Sequence, residues 1–307
     1  LKEIMNIIFA GSPKFSAEIL SQLDKSSFNV SLVLTQPDKR SARNKPAEPT
    51  EVAKFAESSN LPCLKVESFS DETIKVICEY PCDFLVLSSF GTIIPKEILD
   101  HAKISPLNVH FSKLPLYRGA SPIQSALLNG DKKTAISFME MTESLDDGPV
   151  FDVIEVDISS KDNRLTLEDK LVSKAKENIV DVINKISNGL VPVTQKEKDA
   201  SYCNKISKAD GKINFNKTTD EILNKHRAFF GWPGTFFVHN EIPIKVHEMG
   251  LFLSESTAMP GSIIDINKDG IFIKTSDSAI VITHIQLPGK KIINSNDIYN
   301  SYKDFFV

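Results

Sequence analysis

Short apolar runs, each too brief for a helix, alternate with helix-like stretches through the first half of this chain, and that alternation most restricts its fold. Residues 6–10, 30–35, 84–87 and 107–110 read as strands, and residues 16–23, 52–58 and 72–78 as helices. The strand runs are nearly continuous in apolar residues rather than alternating with polar ones, which is the pattern of strands buried on both faces. An α/β fold follows, with a Rossmann-like, open and mostly parallel sheet covered by helices on both sides. Such sheets bind ligands beyond the carboxyl ends of their strands. His110 stands at one of those ends.

Leu167, Leu171, Ala175, Ile179, Ile183 and Ile186 recur at helical spacing, so a long amphipathic helix is expected before Asn188-Gly189 stops it. A polar stretch from 195 to 209 then reads as a linker. Past Asp210 the pattern changes to one helical piece over 218–229, followed by strand-like runs at 235–238, 242–246, 261–266, 270–275 and 279–285. Short strands at near-regular spacing suggest a small barrel. The expected organisation is a first domain over 1–190, a linker over 191–209 and a second domain over 210–307.

Length and composition agree: 307 residues, 41% hydrophobic and 25% charged, suit two domains with real cores. No apolar run approaches a membrane span, and no basic segment followed by an apolar stretch opens the chain, so a cytoplasmic protein is expected. Net charge is −4, with a balance of −5 over residues 1–204 and +1 over 205–307. A polyanion would therefore be met by local basic features rather than by the field of the whole molecule. The four cysteines, at 63, 78, 82 and 203, make neither a disulfide framework nor a zinc pattern, and no metal is expected. Gly11-Ser12-Pro13 follows the first strand but lacks the two further glycines of a dinucleotide fingerprint, so neither nicotinamide nor flavin is indicated.

The chemistry concentrates between residues 108 and 149. Asn108 and His110, one residue apart on a strand, point to the same face. Asp146 lies on the turn Leu145-Asp146-Asp147-Gly148-Pro149. An amide donor, a titratable imidazole and a carboxylate are the parts needed to stabilise an oxyanion while moving a proton. The other histidines, at 101, 226, 239, 247 and 284, have no such setting and read as structural or surface residues.

Asn108-Val109-His110, Ser112-Lys113-Leu114-Pro115, Arg118-Gly119 and Leu145-Asp146-Asp147-Gly148-Pro149, in that order and spacing, resemble the folate-dependent formyltransferases. The likeness begins at Phe9-Ala10-Gly11-Ser12-Pro13 and Thr35-Gln36-Pro37-Asp38. It persists at Lys205-Ile206-Ser207-Lys208, Arg227-Ala228-Phe229, Trp232-Pro233 and Pro288-Gly289-Lys290-Lys291. It implies 10-formyltetrahydrofolate as formyl donor and an OB-like second domain. By the resemblance, Asn108, His110 and Asp146 are catalytic: the first two serve the oxyanion, while Asp146 orients the imidazole and takes the amine proton. Sequence does not separate the acid and base roles of His110 and Asp146. The pterin is expected against residues 90–93, notably Phe90 and Gly91, and against 139–146. Ser112, Lys113, Leu114 and Pro115 match a folate-contacting segment in which Lys113 stands where the family has leucine.

This set does not name the acceptor, since members of the family act on nucleotides and amino sugars as well as on aminoacyl-tRNA. The chain is most similar to members that formylate initiator methionyl-tRNA for translation initiation. A basic stretch, Lys39, Arg40, Arg43 and Lys45, matches the insertion that in those members enters the acceptor stem, with Ala42 and Asn44 where glycines are usual. Lys205, Lys208, Lys290 and Lys291 are expected to track tRNA phosphates, which would position the tRNA without reading its sequence. A monomer is expected. The alternatives are an amino-sugar formyltransferase, which has no use for the 39–45 loop, and a non-catalytic tRNA-binding protein with a relic folate site.

Overall fold

A computed structural model of the chain describes residues 4–40 and 46–306. By internal contacts the chain divides into two compact units. One comprises Leu1–Gly119, Thr134–Val156 and Glu168–Tyr202, and the other Ala120–Lys133, Asp157–Leu167 and Cys203–Val307. The division is discontinuous in sequence. Residues 191–209 carry short elements, Glu197–Asp199, Tyr202–Cys203 and Ala209–Gly211, and their first part up to Tyr202 goes with the first unit.

The first unit is built on a seven-stranded sheet, in the order Val150–Asp157, Lys133–Glu140, Ser105–His110, Phe84–Ser88, Asn6–Gly11, Asn29–Thr35, Cys63–Lys65. The five strands from Ser105–His110 to Cys63–Lys65 are parallel, and Lys133–Glu140 runs antiparallel to Ser105–His110. Ile7, Ile8, Phe9 and Ala10 are all fully buried, which is why their run has no polar alternation. Helix Lys14–Asp24 buries Ile19, Leu20 and Leu23, and Ser16 Oγ donates to the Ser88 carbonyl at 2.6 Å. Helix Glu51–Ser58 begins at Thr50, whose hydroxyl accepts from Ala53 N, and helix Asp71–Cys78 begins in the same way at Ser70. The long helix Arg164–Ser187 buries Leu167, Leu171, Ala175, Ile179, Val182, Ile183 and Ile186, the stripe that its periodicity predicts.

Two strands and a helix in the middle of the chain had no reading in the periodicity: Lys133–Glu140, Val150–Asp157 and helix Pro122–Leu128. In Lys133–Glu140 every residue from Thr134 to Met139 is buried, Thr134 and Ser137 included. Its hydroxyls break the apolar signal that marks the other strands.

The second unit carries an antiparallel sheet in the order Thr235–His239, Ile242–Phe252, Ala279–Gln286, Gly270–Lys274, Ile263–Asn267, with Ile293–Asn294 also on Ala279–Gln286. Its core is rich in isoleucine: Ile213, Ile222, Ile244, Ile271, Ile273, Ile280, Ile282 and Ile285 pack with Phe237 and Phe306. β-Branched side chains suit this pleated surface. Helix Thr219–Ala228 opens with a capping box between Thr218 and Glu221. Cys78 ends a helix and Cys82 is buried just before a strand, where burial pushes its thiol pKa up to about 12. No described helix is long and apolar enough to cross a membrane.

Candidate active site

Asn108 and His110 occupy the carboxyl end of strand Ser105–His110, held by pairing of Asn108 with Leu87 and Met139 and of His110 with Ser137. Both are buried, at 7% and 6% exposure. Asp146 arrives on the loop between the two last strands with φ of +52°, a left-handed conformation that aspartate tolerates better than most residues. Its carboxylate is doubly held: Asn108 Nδ2 donates to Oδ1 at 3.2 Å, and Gly119 N donates to Oδ2 at 2.8 Å.

The imidazole faces Asp146 and also has a main-chain partner that residue types do not report. His110 Nε2 lies 3.1 Å from the Tyr117 carbonyl oxygen, whereas Nδ1 is 3.7 Å from Asp146 Oδ2, beyond hydrogen-bond reach. A carbonyl can only accept, so Nε2 carries a hydrogen, and whenever the ring is neutral Nδ1 is its acceptor nitrogen. Tyr117 O therefore fixes the tautomer of the neutral ring, and Nδ1 faces Asp146 Oδ2 at ion-pair distance. Tyr117 itself has φ of +59°, and left-handed conformations at non-glycine residues cost roughly 1–3 kcal/mol each and cluster at functional sites.

The segment 112–115 is tightly self-engaged. Ser112 Oγ donates to Leu116 O at 2.5 Å, while Ser137 Oγ donates to Ser112 O at 2.7 Å and accepts from Leu114 N at 3.1 Å. Ser112 and Leu114 are buried, and Lys113 reaches Glu155 at 2.6 Å with both side chains about half exposed. What this segment can offer a ligand is the rim formed by Lys113 and Pro115. Phe90 is 1% exposed, in a core cluster that Met141 joins from the other expected pterin segment, so it brings residues 90–93 and 139–146 side by side rather than facing a ligand. Gly91, with open space where a Cβ would be, and the exposed Ile93 and Leu145 are the parts of these segments that a flat heterocycle could meet.

Of the residues expected to meet tRNA, Lys39 and Arg40 are exposed on a short strand, Lys39–Arg40, paired with Ala47–Glu48; Arg43 and Lys45 lie outside the described residues. Lys205, Lys208, Lys290 and Lys291 are all exposed. The five other histidines each have a partner: His101 on Tyr80 O, His226 on Thr235 Oγ1, His239 on Phe305 O, His247 on Gln286 Oε1 and His284 on Glu248. Tyr117, Gly119 and Ser137 escaped the sequence reading. Arg118-Gly119 was visible as a motif, but the atoms that act at positions 117 and 119 belong to the main chain, which residue identity does not report.

The formyl transferase family model matches residues 3–183 and the formyl transferase C-terminal domain model matches residues 205–303. A methionyl-tRNA formyltransferase of Francisella tularensis subsp. novicida is 37% identical over 299 residues, spanning 96% of this chain and 95% of that protein. Among solved structures, an N-formyltransferase from Helicobacter canadensis in complex with folinic acid and dTDP-3-aminofucose superposes with a TM-score of 0.66 at 20% identity, covering 91% of this chain and 99% of that one. A methionyl-tRNA formyltransferase from Clostridium thermocellum gives a TM-score of 0.56 at 18% identity, covering 81% and 94%. At these identities the two structures show a shared fold.

Proposed function

The chain belongs to the methionyl-tRNA formyltransferase family, and we propose that it transfers the formyl group of 10-formyltetrahydrofolate to the α-amino group of methionine on initiator methionyl-tRNA. The observation that carries this reading is the convergence on Asp146 of Asn108 Nδ2 and Gly119 N, with the basic Nδ1 of His110 facing the same carboxylate.

The lone pair of the amine attacks the formyl carbon and the carbonyl oxygen becomes an oxyanion. Asn108 uses one amide hydrogen on Asp146 and has a second to donate to that oxygen. Removing one such donor typically costs roughly 3–4 kcal/mol in the transition state. The proton of the attacking nitrogen passes to the acceptor pair, Asp146 Oδ2 and His110 Nδ1. As the bond between the formyl carbon and the folate nitrogen breaks, the same pair returns the proton to that nitrogen. An α-amino group with an ordinary pKa of about 7.7–8 is partly neutral at physiological pH, so no strong base is required. Holding the two substrates together supplies much of the acceleration, since good orientation is worth roughly 7–11 kcal/mol.

The formyl donor's pterin is met by the open backbone at Gly91 and by the exposed apolar side chains of Ile93 and Leu145. Lys39 and Arg40 on their paired strand support an acceptor-stem contact extending to Arg43 and Lys45, and the exposed Lys205, Lys208, Lys290 and Lys291 support phosphate contacts. The catalytic residues all belong to the first compact unit, and we assign tRNA binding to residues 210–307 of the second, in a cytoplasmic monomer.

The test is to incubate the protein with labelled 10-formyltetrahydrofolate and, separately, initiator methionyl-tRNA, elongator methionyl-tRNA and an amino-sugar nucleotide. Formyl-methionine on initiator tRNA is expected. No product with either tRNA overturns the reading, and product on the sugar alone replaces it. Arg43→Ala should blunt the preference for initiator over elongator tRNA; an unchanged preference removes the loop from the scheme.

A further inference from the structure

Asp146 is held by more than its carboxylate. Gln195 Nε2 donates both its hydrogens into the catalytic loop, to Asp146 O at 2.8 Å and to Gly148 O at 2.7 Å. Its Oε1 accepts from Arg118 Nε at 3.1 Å. The amide orientation is unambiguous, because carbonyls only accept and a guanidinium only donates. Arg118 is 2% exposed, and its Nη1 donates to Glu197 Oε2 and to the Tyr202 hydroxyl, both at 2.9 Å. Burial opposes the charge on Arg118, but these hydrogen bonds outweigh it and hold the guanidinium pKa above its ordinary value.

The strap carrying Gln195 is tied at both ends. Val193 and Val150 exchange two backbone hydrogen bonds of 2.8 Å. At the other end, Ser201 O accepts from Arg118 N at 2.8 Å, and Ser201 Oγ accepts from Tyr117 N at 2.9 Å. One strap thus joins the loop that presents Asp146 to the turn whose Tyr117 carbonyl fixes His110 and whose Gly119 N–H holds Asp146. The left-handed backbone at Asp146 and Tyr117 needs an outside restraint, since strained conformations persist only where their surroundings over-determine them.

We infer that Gln195 is a positioning residue for Asp146, and that Arg118 holds Gln195 in the rotamer that clamps the loop. The inference rests on the formyl-transfer reading. Gln195 touches no reacting atom; it sets the two peptide groups that aim the carboxylate. Gln195→Met keeps the length and loses every hydrogen bond. Gln195→Glu keeps an acceptor for Arg118 and turns the loop-facing donors into an oxygen set against two carbonyls.

The experiment measures kcat, and KM for both substrates, in the full chain carrying each substitution, with thermal unfolding to count folded molecules. Both variants should lower kcat by about a hundredfold, the penalty for misplacing a reacting group by about 1 Å, and leave both KM values within about twofold. In an Asp146→Asn background, Gln195→Met should change the residual turnover by less than about threefold, because residues acting through one group are not additive. Wild-type turnover in Gln195→Glu would show that the link to Arg118 matters and the clamp does not, and would overturn the inference. So would multiplicative losses in the double variant. An inactive wild-type protein would instead overturn the formyl-transfer reading.

Discussion

Replacing Gly148 by alanine asks whether the catalytic carboxylate depends on how closely its loop approaches the sheet. A Cβ built on Gly148 would sit 1.9 Å from the Glu140 carbonyl oxygen and 3.3 Å from Met139 Cε, where real Cβ atoms essentially never come within 3.0 Å of another atom. Relieving that overlap takes a displacement of about 1.1 Å, the difference between those two limits. Glu140 cannot supply it: it ends strand Lys133–Glu140, pairs with Leu107, and donates its N–H to Pro149 O at 2.9 Å. The loop moves instead, carrying Asp146 two residues away and pulling Gly148 O off Gln195. Overpacking of this kind costs about 1–3 kcal/mol of stability, which a domain of this size survives. A catalytic group moved by about 1 Å loses on the order of a hundredfold in rate. The assay is the formylation of initiator methionyl-tRNA by Gly148→Ala, with kcat corrected for the folded fraction. A folded variant with kcat within about twofold of wild type would refute the reasoning, since it would mean that the carboxylate's position is not set by this contact.

Asp146→Ala should lower kcat by about 10²–10⁴-fold, the range for removing a positioned acid–base group, and leave tRNA binding nearly intact in a filter-binding or anisotropy titration; an equal loss of binding would mean a structural role. His226, half-buried and bonded to Thr235 Oγ1 at 2.7 Å, has its pKa lowered from 6.5 chiefly by desolvation, with His247 lowering it further and the His247 backbone and Glu248 partly opposing. The unfolded chain then binds more protons than the folded one below pH 6.5, so stability should fall as pH drops from 6.5 towards the folded pKa. Denaturant unfolding of wild type and His226→Gln across that window should show a shallower pH slope in the variant; identical slopes would remove His226 as the cause.

Periodicity alone led to strands such as Asn6–Gly11 and to the helix Arg164–Ser187, because a buried element repeats its apolar residues at a local spacing. Lys133–Glu140 was not legible: Ser137 is buried in it only because the Ser112 carbonyl and Leu114 N–H, more than twenty residues away, satisfy its hydroxyl. The same line divides the candidate site. Asn108 and His110 share a face by the two-residue repeat of a strand, and Asp146 stood out by the resemblance its Leu-Asp-Asp-Gly-Pro motif carries. That the imidazole would bond to Tyr117 O, and that Asp146 would bond to Gly119 N, could not be read. Nor could the reach of Gln195, on a stretch that reads as a linker, back to the loop around Asp146. Sequence by itself determined which side chains are available for the chemistry and four strands of the sheet, those at 6–10, 30–35, 84–87 and 107–110, since both depend on residue type and near-neighbour spacing. The tertiary structure decided which nitrogen of His110 is basic and what aims Asp146, because those follow from main-chain atoms whose directions are settled only when distant segments pack together.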